Sequence, residues 1–387
     1  MIQKSKKLPV VHGIAGLGQG GAEACLVRLV EATKDECDST VVSLSAELYY
    51  APRITSAGAK VYGLNMPRGR LTMKGLFTLV RIMRERRPQI VQTWMYHADL
   101  LGGLSARLTG CKQVVWGIHN AGFARSHIKN STRWVARGCS WISGRIPAAI
   151  VSCSQAAADL HGEMGYARDK MQAIPNGYDV QFFHRDNVVR TASRRSLNID
   201  EDAKLIGTIA RWDPVKDHAT LLKAARIVTD GRPSVRFLLC GTGMSSDNVE
   251  LRRLISDAGM ETKLILLGPR SDIVNVMNAL DLHLLTSRSE AFPNAVAESM
   301  ACEVPNVVTN VGDAALIVGD SGWVAPPGES FAIAKALEQA LKLSSEALRE
   351  HGIAARLRIC EKFSMERMVE AYLKLWKSLQ ISGKEIA

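Results

Sequence analysis

Two glutamates, Glu290 and Glu298, are the residues of this 387-residue chain whose spacing most directly indicates chemistry. The run Leu280–Thr286 has strand character, and Pro293 suits the first position of the apolar helix that follows it. Glu298 would lie in that helix, where an unpaired carboxylate costs on the order of several kcal/mol. Glu290 would lie at the preceding turn, beside helix-terminal amides. The pair predicts a site for a hydroxyl-rich ligand. The alternative is that both carboxylates have a structural role and are hydrogen-bonded within the protein.

Arg211 and Lys216 form a second candidate group. They follow the predicted strand Leu205–Ala210 and precede a helix for which Asp217 is the expected N-cap. A guanidinium fork and an ammonium point charge in a strand-to-helix loop suit the phosphates of a ligand. Surface salt bridges with Asp213 or Asp217 are the alternative.

A glycine-rich loop near the start of the chain is a third candidate. Gly16, Gly18 and Gly21 match G-x-G-x-x-G between a strand and a helix, which is the dinucleotide fingerprint. That fingerprint also needs an acid at the end of the second strand. Here the second strand is Ser39–Leu44, and the nearest acid, Glu47, lies beyond it. The loop therefore predicts a phosphate-facing backbone but no dinucleotide site.

The strands and helices that must position these groups alternate along the whole chain, and the pattern restarts near Leu205. This rhythm predicts two α/β domains with parallel, doubly wound sheets and ligands at the carboxyl ends of the strands. His119 follows the predicted strand Gln113–Ile118, so catalytic and structural roles both stay open for it. Gly322–Gly328 is predicted to be a loop because glycine and proline punctuate it.

Composition is that of a soluble globular protein, with 47% hydrophobic and 22% charged residues. The eight cysteines form no CxxC pair, which favours reduced thiols in the cytoplasm over disulfides or a zinc site. No apolar run approaches the roughly 20 residues of a membrane span. The first residues, Met1–Gly21, do not form a signal peptide, because His12 and glycines interrupt the apolar run.

The net charge of +11 is concentrated in one half of the chain. Residues 1–200 hold 27 Lys and Arg against 14 Asp and Glu, and the remainder holds 22 against 24. No acid lies between Asp99 and Asp159. A stripe with four-residue spacing falls there beside Trp134 and Trp141; its members are Arg125, Lys129, Arg133 and Arg137. An anionic membrane surface and a plain solvated face both explain this stripe. Nucleic acid is disfavoured because no recognition motif accompanies the charge.

Taken together, the motifs resemble glycosyltransferase family 4, the retaining glycosyltransferase group 1 enzymes of GT-B fold. The stretch Ser289–Ala301 matches the family's E-x7-E signature most specifically. Further matching segments are Gly18–Glu23, Ile174–Asp179, Arg211–Lys216, Cys240–Gly243 and Asp313–Gly328. The segment Gln92–Asp99 is similar to members that build bacterial surface polysaccharides. Thr242 departs from the pattern, since many members carry an acid there.

The resemblance implies two Rossmann-like domains that face a central cleft. It implies an acceptor domain at 1–180, a nucleotide-sugar domain at 181–365 and a helix at 366–387 that returns to the first domain. Arg211 and Lys216 would hold the donor diphosphate, Glu298 the ribose and Glu290 the donor sugar. His119 would position that sugar or stabilise positive charge. The remaining implied donor contacts are Gly20, Gly21, Arg270, Ala291, Phe292, Pro293 and Asn294.

The implied reaction retains the anomeric configuration and needs no metal or other cofactor, because the two cations stabilise the departing phosphate. The donor is expected to be a UDP-sugar and the acceptor a lipid-linked saccharide in cell-surface polysaccharide biosynthesis. The protein is expected in the cytoplasm, with attachment to the inner membrane face as a separate hypothesis. Two alternatives stay open: a nicotinamide-dependent oxidoreductase built on the glycine loop, and a non-catalytic two-domain sugar-binding protein.

Overall fold

The chain divides into two compact α/β units. The computed structural model describes residues 7–67, 69–120, 130–200 and 202–385. The first unit extends to Gly177 and resumes at Met365, and the second unit is Tyr178–Ser364. Each unit contains a parallel sheet with helices between successive strands. The predicted pair of doubly wound domains is confirmed.

The first unit is built on a parallel sheet whose strands are rich in valine and isoleucine, as strands buried on both faces require. Its strands are β1 (Leu8–Ile14), β2 (Cys37–Ser43), β3 (Lys60–Gly63), β4 (Ile90–Trp94), β5 (Val114–Ile118), β6 (Ala149–Ser152) and β7 (Met171–Ala173). They lie in the order β3-β2-β1-β4-β5-β6-β7. The chain thus builds outward from β1 in one direction and then in the other, which places a topological switch point between β1 and β4.

Helices connect these strands. They are α1 (Gly21–Ala32), α2 (Ala51–Ser56), α3 (Met73–Arg86), α4 (Tyr96–Leu108), α5 (Asn130–Ile142) and α6 (Gln155–Glu163). Side-chain caps fix two of their starts, because Thr72 accepts from the Gly75 amide and Ser154 from the Ala157 amide.

The second unit repeats the design with the sheet order β10-β9-β8-β11-β12-β13. Its strands are β8 (Lys204–Ile209), β9 (Val235–Cys240), β10 (Leu264–Gly268), β11 (Leu282–Leu285), β12 (Asn306–Thr309) and β13 (Trp323–Ala325). Its helices are α7 (Asn187–Ser196), α8 (His218–Gly231), α9 (Val249–Asp257), α10 (Ile273–Ala279), α11 (Asn294–Ala301), α12 (Ala314–Val318), α13 (Ser330–Leu341) and α14 (Ser345–Lys362). The switch point here lies between β8 and β11.

The last helix, α15 (Met365–Glu385), belongs to the first unit. Met368, Tyr372 and Trp376 recur every four residues, and all three are buried in the core that holds Val10 of β1. Trp376 Nε1 also donates a hydrogen bond to Gln92 Oε1, 3.3 Å away on β4. The return of the terminal helix to the first domain, which the resemblance implied, is confirmed.

Two local predictions were wrong. Gly322–Gly328 is not all loop, since β13 pairs with β12 in parallel, with Trp323 opposite Val307. The glycines and prolines of this segment predict a loop from local sequence alone. Backbone hydrogen bonds with the neighbouring strand β12 nevertheless hold its three residues Trp323–Ala325 in an extended conformation. Pro293 is the N-cap of α11 rather than its first helical residue, with an extended ψ of 98°. Proline suits that position equally well, because an N-cap amide makes no intrahelical hydrogen bond.

Candidate functional site

The switch point of the second sheet gathers most of the predicted site residues. Arg211 and Lys216 lie in the loop after β8, while Glu290 lies in the segment after β11, and these two strands are neighbours. The carboxyl ends of adjacent parallel strands meet at one sheet edge, which is where open α/β sheets bind ligands.

A close ion pair links the two segments. Lys216 Nζ lies 2.6 Å from Glu290 Oε1, and the two side chains are only 17% and 13% exposed. Ser287 Oγ donates to the same oxygen, also at 2.6 Å. Both hydrogen bonds use Oε1, so neither engages Glu290 Oε2. The arrangement fixes an ammonium group and a carboxylate side by side at the sheet edge.

The backbone around this pair is tied down from both strands. The Arg288 amide donates to the Val215 carbonyl at 2.8 Å, and Thr286 Oγ1 donates to the Lys216 carbonyl at 2.9 Å. Asp217 adopts a left-handed conformation with φ 52°, and its Oδ1 caps α8 through the Thr220 amide, as predicted. Its Oδ2 lies 2.8 Å from Arg288 Nε. These contacts hold the loop that presents Lys216.

Arg211 is more exposed than Lys216. Its guanidinium is 61% exposed and lies 2.6 Å from Asp213 Oδ2, so the surface salt bridge raised as an alternative does form. Partial burial works to raise the pKa of Asp213, but hydrogen bonds from the Val215 amide and Arg211 outweigh it, and the pKa is lowered. Because an exposed pair contributes at most about 1 kcal/mol, the Arg211 fork can reorient toward a ligand at little cost.

The segment between the two glutamates is held by packing. Phe292 is buried, and its ring packs on Tyr178 and Phe363 at centroid distances of 6.3 and 5.6 Å. The Tyr178 hydroxyl donates to Asn294 Oδ1. Glu298 is half-buried on α11, whose other face is apolar, and it already has a polar or electrostatic partner. Since α11 begins at Asn294, Glu290 precedes the helix and the eight-residue spacing is not two helical turns.

Gly312, in the loop after β12, sets how closely that loop approaches this segment. It has a φ of +53°, and a Cβ there would lie 2.6 Å from the Ala291 carbonyl oxygen and still closer to that of Glu290. The Asp313 amide donates to the same Ala291 carbonyl at 3.1 Å. Only glycine meets both requirements.

Arg270 lies farther along the same sheet edge. It follows β10, which is separated from β11 by β9 and β8. Its exposed guanidinium makes two hydrogen bonds to Asp272, at 2.7 and 2.6 Å. The loop after β9 connects this position to the rest of the edge, because the Gly241 amide donates to the Gly268 carbonyl at 2.8 Å.

His119, Gly20 and Gly21 belong to the first unit. His119 follows β5, stacks on Trp94 with centroids 4.9 Å apart, and its Nε2 has no hydrogen-bond partner among the described residues. Burial lowers the pKa of His119 to about 4, so the imidazole is neutral at physiological pH. Gly20 is the N-cap of α1 and Gly21 its first residue, and the Glu23 carboxylate folds back over Gly20.

Sequence reasoning did not single out Ser287, Arg288 or Gly312. Ser287 and Arg288 immediately precede the glutamate signature, and their polar character inside an apolar stretch was the available signal. Gly312 carried a weaker signal, as a glycine three residues after the predicted strand Asn306–Thr309. Among the described residues, no group of three or more His, Cys, Asp or Glu side chains is placed to hold a metal ion.

Comparison with known proteins agrees with this fold and site. The family model "Glycosyltransferase Family 4" matches residues 19–182, and "Glycosyl transferases group 1" matches residues 189–358. The fold and site define a two-domain glycosyltransferase of GT-B type. The chain belongs to glycosyltransferase family 4, group 1, and the protein is a glycosyltransferase enzyme. This membership rules out the oxidoreductase and the non-catalytic sugar-binding protein.

Individual relatives are distant. EpsF of Bacillus subtilis strain 168 is 25% identical over 79% of this chain and 80% of its own. The Escherichia coli UDP-Gal:alpha-D-GlcNAc-diphosphoundecaprenol alpha-1,3-galactosyltransferase is 24% identical, and the match covers 62% of each chain. A crystal structure of Anabaena HepE in complex with UDP superposes with a TM-score of 0.84 at 21% identity, covering 96% of this chain and 100% of that one. The structural match confirms the GT-B fold.

Proposed function

We propose that this glycosyltransferase transfers a sugar from a UDP-sugar to a saccharide acceptor with retention of anomeric configuration. The Lys216–Glu290 ion pair at the second switch point, with Arg211 in the same loop, is the observation that carries the proposal. The structures of HepE with UDP and with UDP-glucose support UDP as the nucleotide. The Escherichia coli relative, named for UDP-Gal, supports it as well.

In this proposal the two cations bind the donor diphosphate. Lys216 stays anchored by Glu290 and presents its ammonium group to one phosphate, while the exposed Arg211 fork leaves Asp213 for the other. The Lys216 charge is already in position and stabilises the departing phosphate without moving, whereas the Arg211 fork has to move from Asp213 to the phosphate. They supply the positive charge that the leaving group needs, so we propose that transfer requires neither a metal ion nor another cofactor.

The carboxylates bind hydroxyl groups of the donor. Glu298 on α11 accepts from the ribose hydroxyls, and Glu290 uses Oε2 to accept from the donor sugar. The segment Ala291–Asn294, fixed by Gly312 and by the Phe292 packing, places its backbone beside that sugar. Arg270, which follows β10, lies near the nucleobase of the donor.

The reaction replaces one bond to the anomeric carbon with another on the same face. The bond from that carbon to the β-phosphate oxygen breaks, and the acceptor hydroxyl oxygen forms the new glycosidic bond. The acceptor proton passes to the departing phosphate oxygen, and UDP leaves. We assign His119 a neutral role: with its lowered pKa it hydrogen-bonds to the sugar and does not supply positive charge.

Nucleotide binding and product stereochemistry test this proposal. Thermal unfolding with UDP, GDP and ADP should show stabilisation by UDP above the other two, because a ligand of the folded state raises its stability. With EDTA present, the purified protein and UDP-glucose, UDP-galactose or UDP-N-acetylglucosamine should release UDP. NMR of the transferred sugar should show the donor's α configuration. Preference for another nucleotide would contradict UDP as the nucleotide of the donor. A metal requirement would contradict metal-independent transfer, and a product of inverted configuration would contradict retention.

We further propose a lipid-linked saccharide acceptor in bacterial surface polysaccharide synthesis. The relative named for a diphosphoundecaprenol substrate supports this. The exposed face of α5 supports membrane contact: Trp134 and Trp141 are 73% and 76% exposed, and Arg133 and Arg137 lie on the same face. Arg125 and Lys129 of the predicted stripe lie outside the described residues. In the part of the chain that the structure describes, no helix is long and apolar enough to cross a membrane.

Vesicle co-sedimentation tests the membrane proposal. The protein should bind vesicles containing anionic phosphatidylglycerol at low salt and less at high salt, and Trp134→Ala with Trp141→Ala should weaken binding at least fivefold. Phe331→Ala, which removes an equally exposed aromatic ring from α13, is the matched control and should bind as the wild type does. Equal binding by neutral vesicles, or no loss in the double variant, would refute the proposal.

A further inference from the structure

The loop 211–217, which presents Arg211 and Lys216, has an aromatic contact between its two ends. Trp212 lies at its start, and His218, the first residue of α8, follows directly after it. Their rings stack with centroids 5.1 Å apart and an angle of 11° between their planes. This contact holds the two ends of the loop together.

A hydrogen bond closes the loop at the same place. His218 Nε2 lies 3.3 Å from the carbonyl oxygen of Arg211. Because a carbonyl oxygen can only accept, Nε2 carries the proton in this bond. Burial lowers the pKa of His218 to about 4, although the bond to Arg211 opposes the shift, so the ring is neutral at physiological pH and Nδ1 carries no proton.

Packing alone does not account for a histidine at this position. The His218 side chain is 3% exposed, and its Nδ1 has no hydrogen-bond partner among the described residues. An unpartnered nitrogen in a buried position is unfavourable, and a phenylalanine ring would stack on Trp212 without one. What histidine adds to the stack is the hydrogen bond from Nε2 to the Arg211 backbone.

Trp212 is fixed on its other side by the loop after β9. Its amide donates to the Thr242 carbonyl at 2.7 Å. Gly243 has a φ of +79°, and a Cβ there would lie 2.6 Å from Trp212 Cβ, so this close approach requires glycine. The side-chain amide of Asn248 donates to the Gly243 carbonyl at 2.9 Å and holds that loop. Trp212 is thus a fixed surface on which the His218 ring stacks.

The stack and the hydrogen bond act on the backbone of Arg211 and leave its guanidinium able to move. That guanidinium is 61% exposed, whereas Lys216 is already anchored by Glu290. A fixed backbone limits the positions that the Arg211 fork can reach when it leaves Asp213. Binding groups restricted in this way lose less entropy when they engage a ligand.

We infer that Trp212 and His218 are positioning residues for the donor diphosphate: their stacked rings and the bond to the Arg211 carbonyl hold the loop in the geometry that two adjacent phosphates require. The inference rests on the proposed binding of that diphosphate by Arg211 and Lys216, and it adds the residues that set their positions. Both residues act through the loop, so their loss lowers the affinity for the phosphates and leaves the affinity for the nucleoside unchanged.

Binding of UDP and of uridine to variants of the full chain tests the inference. Isothermal titration calorimetry measures the UDP affinity, and saturation-transfer NMR measures the uridine affinity. His218→Leu removes both the stack and the hydrogen bond, so it should weaken UDP binding about tenfold and leave uridine binding unchanged. His218→Phe keeps the stack, and His218→Gln keeps an N–H for the Arg211 carbonyl, so each should weaken UDP binding only about threefold.

His351→Leu is the matched control. His351 also packs on a tryptophan of the second unit, since its ring lies 4.9 Å from that of Trp323 between centroids. It lies on α14 beside β13, which β11 and β12 separate from β8. This variant should bind UDP and uridine as the wild type does.

A wild-type ratio of UDP to uridine affinity in His218→Leu would overturn the inference. An equal loss of both affinities would overturn it too, because it would show general damage to the unit. If His218→Leu does not fold, His218→Phe and His218→Gln decide, and wild-type ratios in both would overturn the inference. Absence of UDP binding to the wild type instead contradicts the proposed donor, so the two failures are distinguishable.

Discussion

The oxygen that Lys216 and Ser287 share on Glu290 is the most specific contact at the residue scale. Because Oε1 accepts from both side chains, the carboxylate is oriented with Oε2 free of these two bonds. Side chains held in this way lose little entropy when substrate binds. The paired glutamates of the signature therefore differ: Glu290 belongs to a charged cluster, whereas Glu298 lies on a helix.

Ser287→Ala should lower transfer without unfolding the protein. It removes one of the two hydrogen bonds to Glu290 Oε1, a loss of about 1 kcal/mol, or roughly a fivefold decrease in kcat/KM. Lys216→Met should cost on the order of a hundredfold or more in kcat, because it removes a charge that stabilises the leaving group. Steady-state UDP release measures both. Ser193→Ala, at a half-buried serine on α7, is the control, and a Ser287→Ala variant as active as this control would contradict the role.

The pH–rate profile should lack a step near the ordinary pKa of histidine, if His119 acts as a neutral group. Burial lowers the pKa of His119 to about 4, so the imidazole is uncharged from about pH 5 upward and loses its role only as pH falls through about 4. The measurement is kcat/KM from pH 5 to 8 for the wild type and His119→Asn. An acidic limb near pH 6.5 that is absent from His119→Asn would show that the protonation of His119 controls the rate.

At the element scale, the two sheets place their sites by the same rule. In each, the chain leaves the first central strand in one direction and returns on the other side, so loops from β1 and β4, or from β8 and β11, diverge at the switch point. In the second unit the loop after β12 is added to this pair, and Gly312 allows its close approach to Glu290 and Ala291.

Gly312→Ala should damage activity more than stability. A side chain at φ +53° costs about 1 kcal/mol, and its Cβ would push the Ala291 carbonyl away from its present position. We expect at least a tenfold loss of kcat/KM with a decrease in unfolding free energy of roughly 1–3 kcal/mol. Urea unfolding and UDP release are the measurements. Gly231→Ala, at the end of α8 where a Cβ meets nothing within 4 Å, should leave both near the wild-type values.

At the scale of the whole molecule, α15 completes the core of the first unit with residues nearly 200 positions beyond Gly177. Trp376 is fully buried, and its Nε1 donates a hydrogen bond to Gln92 Oε1. The thioether sulfur of Met368, Sδ, accepts a hydrogen bond from the Gly177 amide at 3.1 Å. The first unit is therefore discontinuous in sequence, and its stability depends on the last helix of the chain.

Trp376→Ala should destabilise the first unit by roughly 3–5 kcal/mol, the usual cost of removing a buried tryptophan. Ile381→Ala, on an exposed position of the same helix, should change the unfolding free energy by less than about 0.5 kcal/mol. Urea unfolding followed by far-UV circular dichroism compares the two. If the Trp376→Ala midpoint matches that of Ile381→Ala, α15 does not contribute to the core as described.

Much of the architecture could be predicted from local patterns. Apolar periodicity and flanking turn residues predict a helix at Met73–Arg86 and strands at Val235–Cys240 and Asn306–Thr309. The structure has α3, β9 and β12 with the same bounds. The predicted set did not include α7 or α10. Helix α7 is rich in arginine and serine, and Arg190 and Arg194 are held by ion pairs to Asp281, a long-range contact that local propensity does not encode.

By itself, the sequence determined the fold class, the family and the candidate residues, since these depend on residue type and on short spacings. The tertiary structure decided how those residues are paired. It paired Lys216 with Glu290, 74 positions away in the chain, and placed the Glu47 carboxylate against the glycine-rich loop. It also buried the His119 imidazole, which keeps that ring neutral. Hydrogen bonds, burial and charge compensation depend on distances between segments far apart in the chain, and only the folded sheet sets those distances.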